Sequence, residues 1–454
     1  MADLYPVYAD IGGERKKVTA YMDINGVRML ISKSTTSTVV DPTGWLTFSS
    51  VEPFTIATSS TEKNWDGALY FSTDTTTWEE WDGTSVVASK DHNGEHRIYM
   101  SGSGNSVITN GNKWLFTGNN IACAGNIENL LDYETVANGE HPIMGEYCYR
   151  SMFNGCDILT TAPELPATTL SSSCYSYMFY NCVALISAPE LPATTLANSC
   201  YYSMFERCSS LTTPPELPAT ILASDCYNCM FELCTSLTTA PALPAITLAS
   251  ACYQCMFYDC TALSIAPELP ATTLADNCYR SMFNGCTALT TAPELPVTDL
   301  ADYCYAYMFQ DCTGLITAPE LPATILADTC YRAMFYNCTS LTTPPELPAA
   351  SLADNCYRHM FYGCTSLTAL PKLPATTLTN YCYYYMFYGC TNIKLSTTKT
   401  GSYQTAYRIP TSGTGTDASM ATYSMFVNTG GTFTYNSSGY ADINKTYYTS
   451  NTVV

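Results

Sequence analysis

Cys278-Tyr279-Arg280-Ser281-Met282-Phe283-Asn284-Gly285-Cys286 opens a unit that continues through Leu289, Pro293-Glu294-Leu295-Pro296 and Leu300. The next unit opens 26 residues later, at Cys304. Reading outward in both directions, the first cysteine recurs at Cys148, Cys174, Cys200, Cys226, Cys252, Cys278, Cys304, Cys330, Cys356 and Cys382. A second column stands eight residues after each: Cys156, Cys182, Cys208, Cys234, Cys260, Cys286, Cys312, Cys338, Cys364 and Cys390. Ten copies in unbroken register predict a solenoid, in which each unit buries its apolar face on its neighbours.

With the first Cys numbered zero, each copy reads Cys-Tyr-x-x-Met-Phe-x-x-Cys, then Leu at +11, or Ile393 in the last copy. Pro follows at +15 and Leu-Pro at +17 and +18, until the last copy breaks off. Positions 0, +1, +4, +5 and +8 fall on one face at helical periodicity. Positions +2, +3 and +6 vary most between copies and fall on the other face. The spacing therefore predicts a helix of two to three turns in each copy. Ser172, Asn198, Ser224, Ser250, Asp276, Asp302, Asp328, Asp354 and Asn380, at −2, have the chemistry of N-caps. Gly, Asn or Asp at +7 in eight copies suits a left-handed residue at the helix end. Leu289-Thr290-Thr291-Ala292 suits a short strand that Pro293 ends.

The Met-Phe-x-x-Cys-x-x-Leu pattern at a 26-residue period resembles the BspA-like leucine-rich repeat of bacterial surface proteins, over residues 148–393. Its Ala-Pro-Glu-Leu-Pro-Ala-Thr-Thr-Leu half is richer in proline than the family pattern. The resemblance implies a right-handed curved solenoid that binds surface partners without catalysis. Curvature also follows from the helices expected here, which pack about 8–10 Å apart while paired strands sit about 4.8 Å apart.

The expected fold is thus an α/β solenoid of ten repeats preceded by all-β structure. Residues 1–41 read as a small β attachment element, with a hairpin around Asn25-Gly26. Residues 42–125 hold all five tryptophans, Trp45, Trp65, Trp78, Trp81 and Trp114, and short apolar runs between turns, and read as a β-sandwich. Residues 126–390 are the solenoid, with Ile127, Leu130 and Leu131 in a lead-in helix. Residues 391–454 form a C-terminal cap containing a decayed copy at Tyr423-Ser424-Met425-Phe426, where Ala421 and Thr429 replace the two cysteines.

Composition narrows the function. The 454 residues carry a net charge of −20, which disfavours binding nucleic acid through its phosphates. No apolar run is long enough for a membrane span. Met1-Ala2-Asp3-Leu4-Tyr5-Pro6 has no basic and apolar leader pattern, so synthesis and folding in a cytoplasm are expected.

Several clusters invite chemistry. The cysteine columns are expected to be reduced thiols filling the core, although tighter spacing on the strand side leaves room for pairing at +8. Cys226-Tyr227-Asn228-Cys229 and Cys252-Tyr253-Gln254-Cys255 have the Cys-x-x-Cys form of zinc sites. Helices 8–10 Å apart, however, keep four sulfurs from converging. Glu164, Glu190, Glu216, Glu268, Glu294, Glu320 and Glu346 form a row at +16, expected to be a solvated stripe rather than a Ca²⁺ site. His92 and His96 straddle a hairpin turn, and neither they nor any Ser/His/Asp set makes a convincing centre. No enzyme, metal or cofactor is expected.

The variable outward positions remain. Tyr177, Tyr202, Tyr307, Tyr384, Tyr385 and the +6 tyrosines Tyr180, Tyr258, Tyr336, Tyr362 and Tyr388 are expected to be exposed. Exposed aromatics suit contact with protein or glycan. The candidate binding residues are Tyr307, Arg332, Arg358, His359, Tyr384 and Tyr385, with the threonine-rich strand face as the alternative. A surface-type repeat without an evident leader predicts a virion component: a bacteriophage tail-fibre or receptor-binding protein that meets a host-surface protein or glycan. Its N-terminal region would join other virion proteins. By analogy with fibres it would be a homo-oligomer, with a trimer the analogous form. A bacterial surface or secreted adhesin is the alternative.

Overall fold

The computed structural model describes residues 45–60, 63–409, 418–434, 439–443 and 445–454, together with the backbone of four strands nearer the N-terminus. Those strands pair as Val7–Ile11 with Glu14–Val18 and Ala20–Met22 with Arg28–Leu30, both antiparallel. The second pair flanks Asn25-Gly26 as expected, but its register centres on Asn25 rather than on a two-residue Asn25-Gly26 turn. The turn itself lies outside the described residues.

The segments predicted as helices are not helical. Each is a chain of turns, and the unit opening at Cys278 shows how it is built. The amides of Cys278, Arg280, Met282, Asn284 and Cys286 each donate to the carbonyl three residues back, at 3.1–3.2 Å. The alternate amides leave the unit. Asn277 donates to Asp302, Tyr279 to Cys304, Ser281 to Ala306, Phe283 to Met308 and Gly285 to Gln310, at 2.8–3.1 Å. Half of the donors therefore close turns and half join one rung to the next, so the obligatory backbone bonds are made without a helix.

This arrangement requires a left-handed residue at every fourth position. Asn277, Ser281 and Gly285 have φ of 58°, 56° and 74°. The same three positions, −1, +3 and +7, are left-handed in every rung from Tyr147 to Gly389. Each is the third residue of a turn, where Gly and Asn fit best. Gly, Asn and Asp at +7 were expected to be left-handed. They are, but as one of three such positions rather than a helix end.

The −2 residues also act differently from N-caps. Asp276 Oδ1 accepts from the amide of Asp302, Asp302 from Asp328, Asp328 from Asp354 and Asp354 from Asn380, at 2.9–3.2 Å. Their side chains bond the next rung instead of starting a helix.

Because the rungs are hydrogen-bonded, they stack far more closely than helices. Phe283 and Phe309 stack 5.7 Å apart at 5°, and Tyr279 and Tyr305 5.9 Å apart at 6°. Equivalent Tyr and Phe pairs repeat this from Tyr149 to Tyr383 and from Phe153 to Phe426. The mismatch between an 8–10 Å helix side and a 4.8 Å strand side, from which curvature was expected, does not arise.

The return half of each rung is extended and bridges its neighbours singly and in parallel, as at Ser187 with Thr213 and Thr291 with Thr317. The expected short strand is therefore reduced to single bridges through most of the stack. Full strands appear only near its ends, at Leu159–Thr161, Ala369–Leu370 and Lys394–Ser396. The leucines at +11 and +17 are buried, as at Leu289 and Leu295.

The +8 thiols have a specific role. Cys286 Sγ donates to the Phe257 carbonyl at 3.1 Å. The same 29-residue link recurs from Cys182 to Cys390. Burial raises these thiols well above their ordinary range or, for Cys208, to about 12. The cysteines are free thiols, and the +8 column is a ladder of donors rather than a set of paired sulfurs.

Residues 45–124 form two sheets. In one, the strand order is Leu159–Thr161, Ile121–Ala124, Leu46–Ser50, His96–Ser103, Ala68–Ser72 and Glu79–Glu80, with Ser89–Lys90 beside His96–Ser103. The other runs Trp114–Thr117, Thr55–Thr58, Val86–Val87. The first sheet includes a strand from the first repeat, in parallel with Ile121–Ala124. Ile108 and Trp114 donate to the Cys148 and Met152 carbonyls of that repeat, as a preceding rung would. Phe116 continues the Phe column at 5.7 Å from Phe153. The lead-in helix is present as a 3₁₀ turn, Ile127–Leu130, capped by Asn126, and Ile127, Leu130 and Leu131 are buried.

At the other end the decayed copy continues the ladder. Tyr383, Tyr385, Phe387 and Gly389 donate to Ala421, Tyr423, Met425 and Val427. Met420, Ser424 and Asn428 are left-handed in turn. The final sheet, in order Thr405–Ile409, Lys445–Thr449, Lys394–Ser396, Gly430–Thr432, packs there. One buried apolar cluster runs from Leu46 to Tyr447.

Candidate binding surface

The turn ladder sends 0, +1, +4, +5 and +8 inward and +2, +3, +6 and +7 outward. Outward side chains on successive rungs therefore lie close enough to pack on one another. The tyrosines expected to be exposed are consequently half-buried: Tyr177, Tyr180, Tyr202, Tyr258, Tyr307, Tyr336, Tyr362, Tyr384, Tyr385 and Tyr388. Rungs 8–10 Å apart would have left them standing free.

Near the C-terminal end these side chains form one surface. The +6 rings of Tyr336, Tyr362 and Tyr388 stack at 4.5 and 4.6 Å. Beside them, His359 lies 5.5 Å from Tyr384, 5.6 Å from Tyr385 and 5.9 Å from Tyr362. Tyr384 and Tyr385 are 4.4 Å apart. The Arg358 guanidinium stands over Tyr381 and Tyr384 at 5.2 and 4.9 Å, and that of Arg332 over Tyr307 at 5.4 Å.

All six candidate residues thus fall along one outward face. His359, Tyr384, Tyr385 and Arg358 form a contiguous patch, and Arg332 with Tyr307 lies on the rungs before it. The sequence reading missed Tyr381 at −1 and Tyr423 in the decayed copy. Tyr423 stacks 5.7 Å from Tyr384. The signal for Tyr381 was its left-handed backbone column, invisible while −1 was read as the start of a helix.

The electrostatics are unusual for so acidic a chain. Among the described residues, no carboxylate pairs with Arg332 or Arg358. The Nε of each is buried without a hydrogen-bond partner. Arg358 Nη1 donates to Asn355 Oδ1 at 3.2 Å. Burial, with the charges of Arg358 and Arg332, lowers the His359 pKa to about 4, so its ring is neutral at pH 7.

The other clusters separate. His96 Nδ1 lies 3.4 Å from the Ala88 carbonyl, while His92 is exposed on the turn. The glutamates at +16 are exposed along the proline-rich edge. For the Cys-x-x-Cys pairs, the premise that rungs stand too far apart is overturned. The outward thiols of Cys229 and Cys255 lie on adjacent rungs, and with Glu232 their ligand atoms are all within 4.8 Å of one another. Among the described residues, no helix is long and apolar enough to cross a membrane.

A family description built from BspA type leucine rich repeat regions matches residues 142–264, 223–342 and 303–406, which together span more than half of the chain. The chain belongs to this family. BspA-type repeats suggest a surface or binding protein. No curated protein and no solved structure matches the chain.

Proposed function

We propose that this BspA-type protein is a non-enzymatic binding protein, and that Tyr307, Arg332, Arg358, His359, Tyr384 and Tyr385 carry its contact surface. The observation behind this is that Arg358 stands over two tyrosine rings and Arg332 over one, with no carboxylate partner for either among the described residues. A guanidinium stacked on aromatic faces but free of an ion pair is suited to an anionic or planar group on another molecule. Tyr and Arg are also the side chains that most often dominate contact energies.

The setting we propose is a bacteriophage tail-fibre or receptor-binding component at the virion surface, recognising a protein or glycan of the host envelope. Its first 125 residues, a 1–41 β element and a 42–125 sandwich-like region, would join other virion proteins, and 391–454 would close the stack. A homo-oligomer, by analogy a trimer, would present several copies. The thiol ladder supports this setting. A column of buried S–H donors suits a protein that folds where thiols stay reduced, and a virion component folds in a cytoplasm before display outside. An exported bacterial adhesin is the alternative.

Two measurements test these readings separately. Arg332→Glu with Arg358→Glu in the full chain should abolish attachment to host envelope preparations; unchanged attachment moves the contact to the threonine-rich face. Mass spectrometry of purified phage particles should find the chain. Its presence only in bacterial surface fractions would establish the adhesin instead.

A further inference from the structure

We propose that Cys229, Cys255 and Glu232 form a binding site for a thiophilic divalent cation, with zinc the plainest occupant, on the outward face of the solenoid.

The site is built by the turn ladder. Cys229 and Cys255 occupy +3 of consecutive rungs, where φ is 56° and 52°, and both thiols leave the backbone on the outward side. The Cys229 amide is fixed to the Gln254 carbonyl and the Cys255 amide to that of Arg280, each at 2.9 Å. Glu232, at +6 on the first of these rungs, donates its amide to the Cys229 carbonyl at 3.2 Å, so one turn carries both residues. The three ligand atoms lie within 4.8 Å of one another, and all three residues are half-buried. Zn–S bonds of about 2.3 Å and Zn–O bonds of about 2.0–2.2 Å put tetrahedral ligands roughly 3.3–3.8 Å apart. Rotation of the side chains on their fixed backbones therefore closes the set. One coordination position is left for water.

Cys229 Sγ donates to Asn228 Oδ1 at 3.1 Å, and a divalent ion bound by both thiols would release their protons. Glu206, at +6 on the preceding rung, adds negative charge nearby, though Arg207 Nε stands 3.5 Å from its carboxylate. No other rung pair repeats this set, because +3 is elsewhere Ser, Tyr, Ala or His.

The test uses the full chain, reduced and stripped of metal, titrated with Co²⁺ as a spectroscopic probe and then with Zn²⁺. One equivalent of cobalt should produce a thiolate-to-cobalt charge-transfer band, which zinc then abolishes. Cys229→Ser and Cys255→Ser should each remove the band. Both should fold, because Ser151, Ser203 and Ser281 already occupy +3 with left-handed backbones. Glu232→Gln should weaken cobalt by at least the roughly 10–100-fold that outer-shell changes cost. A band that survives both serine variants comes from the other cysteines and overturns the assignment. So does rapid loss of two free thiols in air without any cobalt band, which would make the pair a cross-rung disulfide.

Discussion

The region before the first repeat and the repeats themselves bury the same kinds of side chain and pack them by different rules. Between residues 45 and 124 the rings meet at many angles: Trp45 and Trp78 at 63°, Trp81 and Trp114 at 75°, Trp65 and Trp81 at 5°. Trp81 Nε1 donates to the Thr84 carbonyl, while Trp45, Trp65, Trp78 and Trp114 keep buried indole nitrogens without a partner. In the repeats each inward ring, Tyr at +1 and Phe at +5, lies on its own equivalent one rung away. Translation along a stack forces like onto like, so one good contact solves all of them. The N-terminal region must solve each contact singly, and it leaves polar atoms stranded.

The largest expected effect tests that distinction. Phe283→Ala removes a ring stacked on both sides and should cost about 3–5 kcal/mol in equilibrium denaturation. Phe309→Ala opens a cavity against the same space, so the double variant should depart from additivity by about 0.5–3 kcal/mol. Phe48→Ala and Trp78→Ala should instead add, because Phe48 belongs to the main core and Trp78 to a separate cluster with Trp45 and Tyr133. Additive costs within the Phe column would remove the difference between the two regions.

A smaller effect is expected from His359. Its folded pKa, about 4, lies below the ordinary value of about 6.5. The unfolded chain therefore binds the proton more readily. Stability is full above about pH 6.5, falls as the pH drops below that value, and reaches its full loss near pH 4. His359→Tyr, which copies Tyr385 at +3 of the next rung, should flatten that acid limb in thermal melts between pH 7 and 4. An unchanged limb would place the acid sensitivity elsewhere.

Smaller again is the thiol ladder. Cys338 Sγ donates to the Phe309 carbonyl at 3.0 Å. Cys338→Ala loses that bond and some packing, for about 1–2 kcal/mol. Cys338→Ser keeps a donor and should lose less. Equal losses would mean that the column only fills space.

The inward and outward faces were legible in the sequence, but the backbone that makes them was not. Over nine residues a helix with 3.6 residues per turn and a turn ladder repeating every four both send Cys278, Tyr279, Met282, Phe283 and Cys286 inward. The two differ in which residues are left-handed. At +7 the sequence signals this through Gly285, Gly363 and Asn337. At +3 it gives no signal, because Ser281, Tyr307, Cys255 and His359 do not announce positive φ. The proposed binding patch was legible only in part for the same reason. Its residue types were visible, but the close rungs that pack His359 among tyrosines follow from hydrogen bonds between copies. Helix spacing would hold Cys229 and Cys255 apart, and the close rungs bring them together with Glu232.

The smallest effect decides this point by its sign. Ser151 stands at +3 with φ of 62°, its amide bonded to the Ser176 carbonyl. In the middle of a helix, Ser151→Gly would cost a few tenths of a kcal/mol, because glycine is the poorer helix former. In the turn ladder a left-handed L-residue carries roughly 1–2 kcal/mol of strain that glycine relieves. Greater freedom of the unfolded chain takes back about 0.4–1 kcal/mol of that gain. Ser151→Gly should therefore stabilise the chain by about 0.5–1 kcal/mol. Equilibrium denaturation reads the sign directly. A loss of stability would return the repeats to helices, and with them the wide spacing that separates Cys229 from Cys255 and leaves the outward tyrosines standing apart.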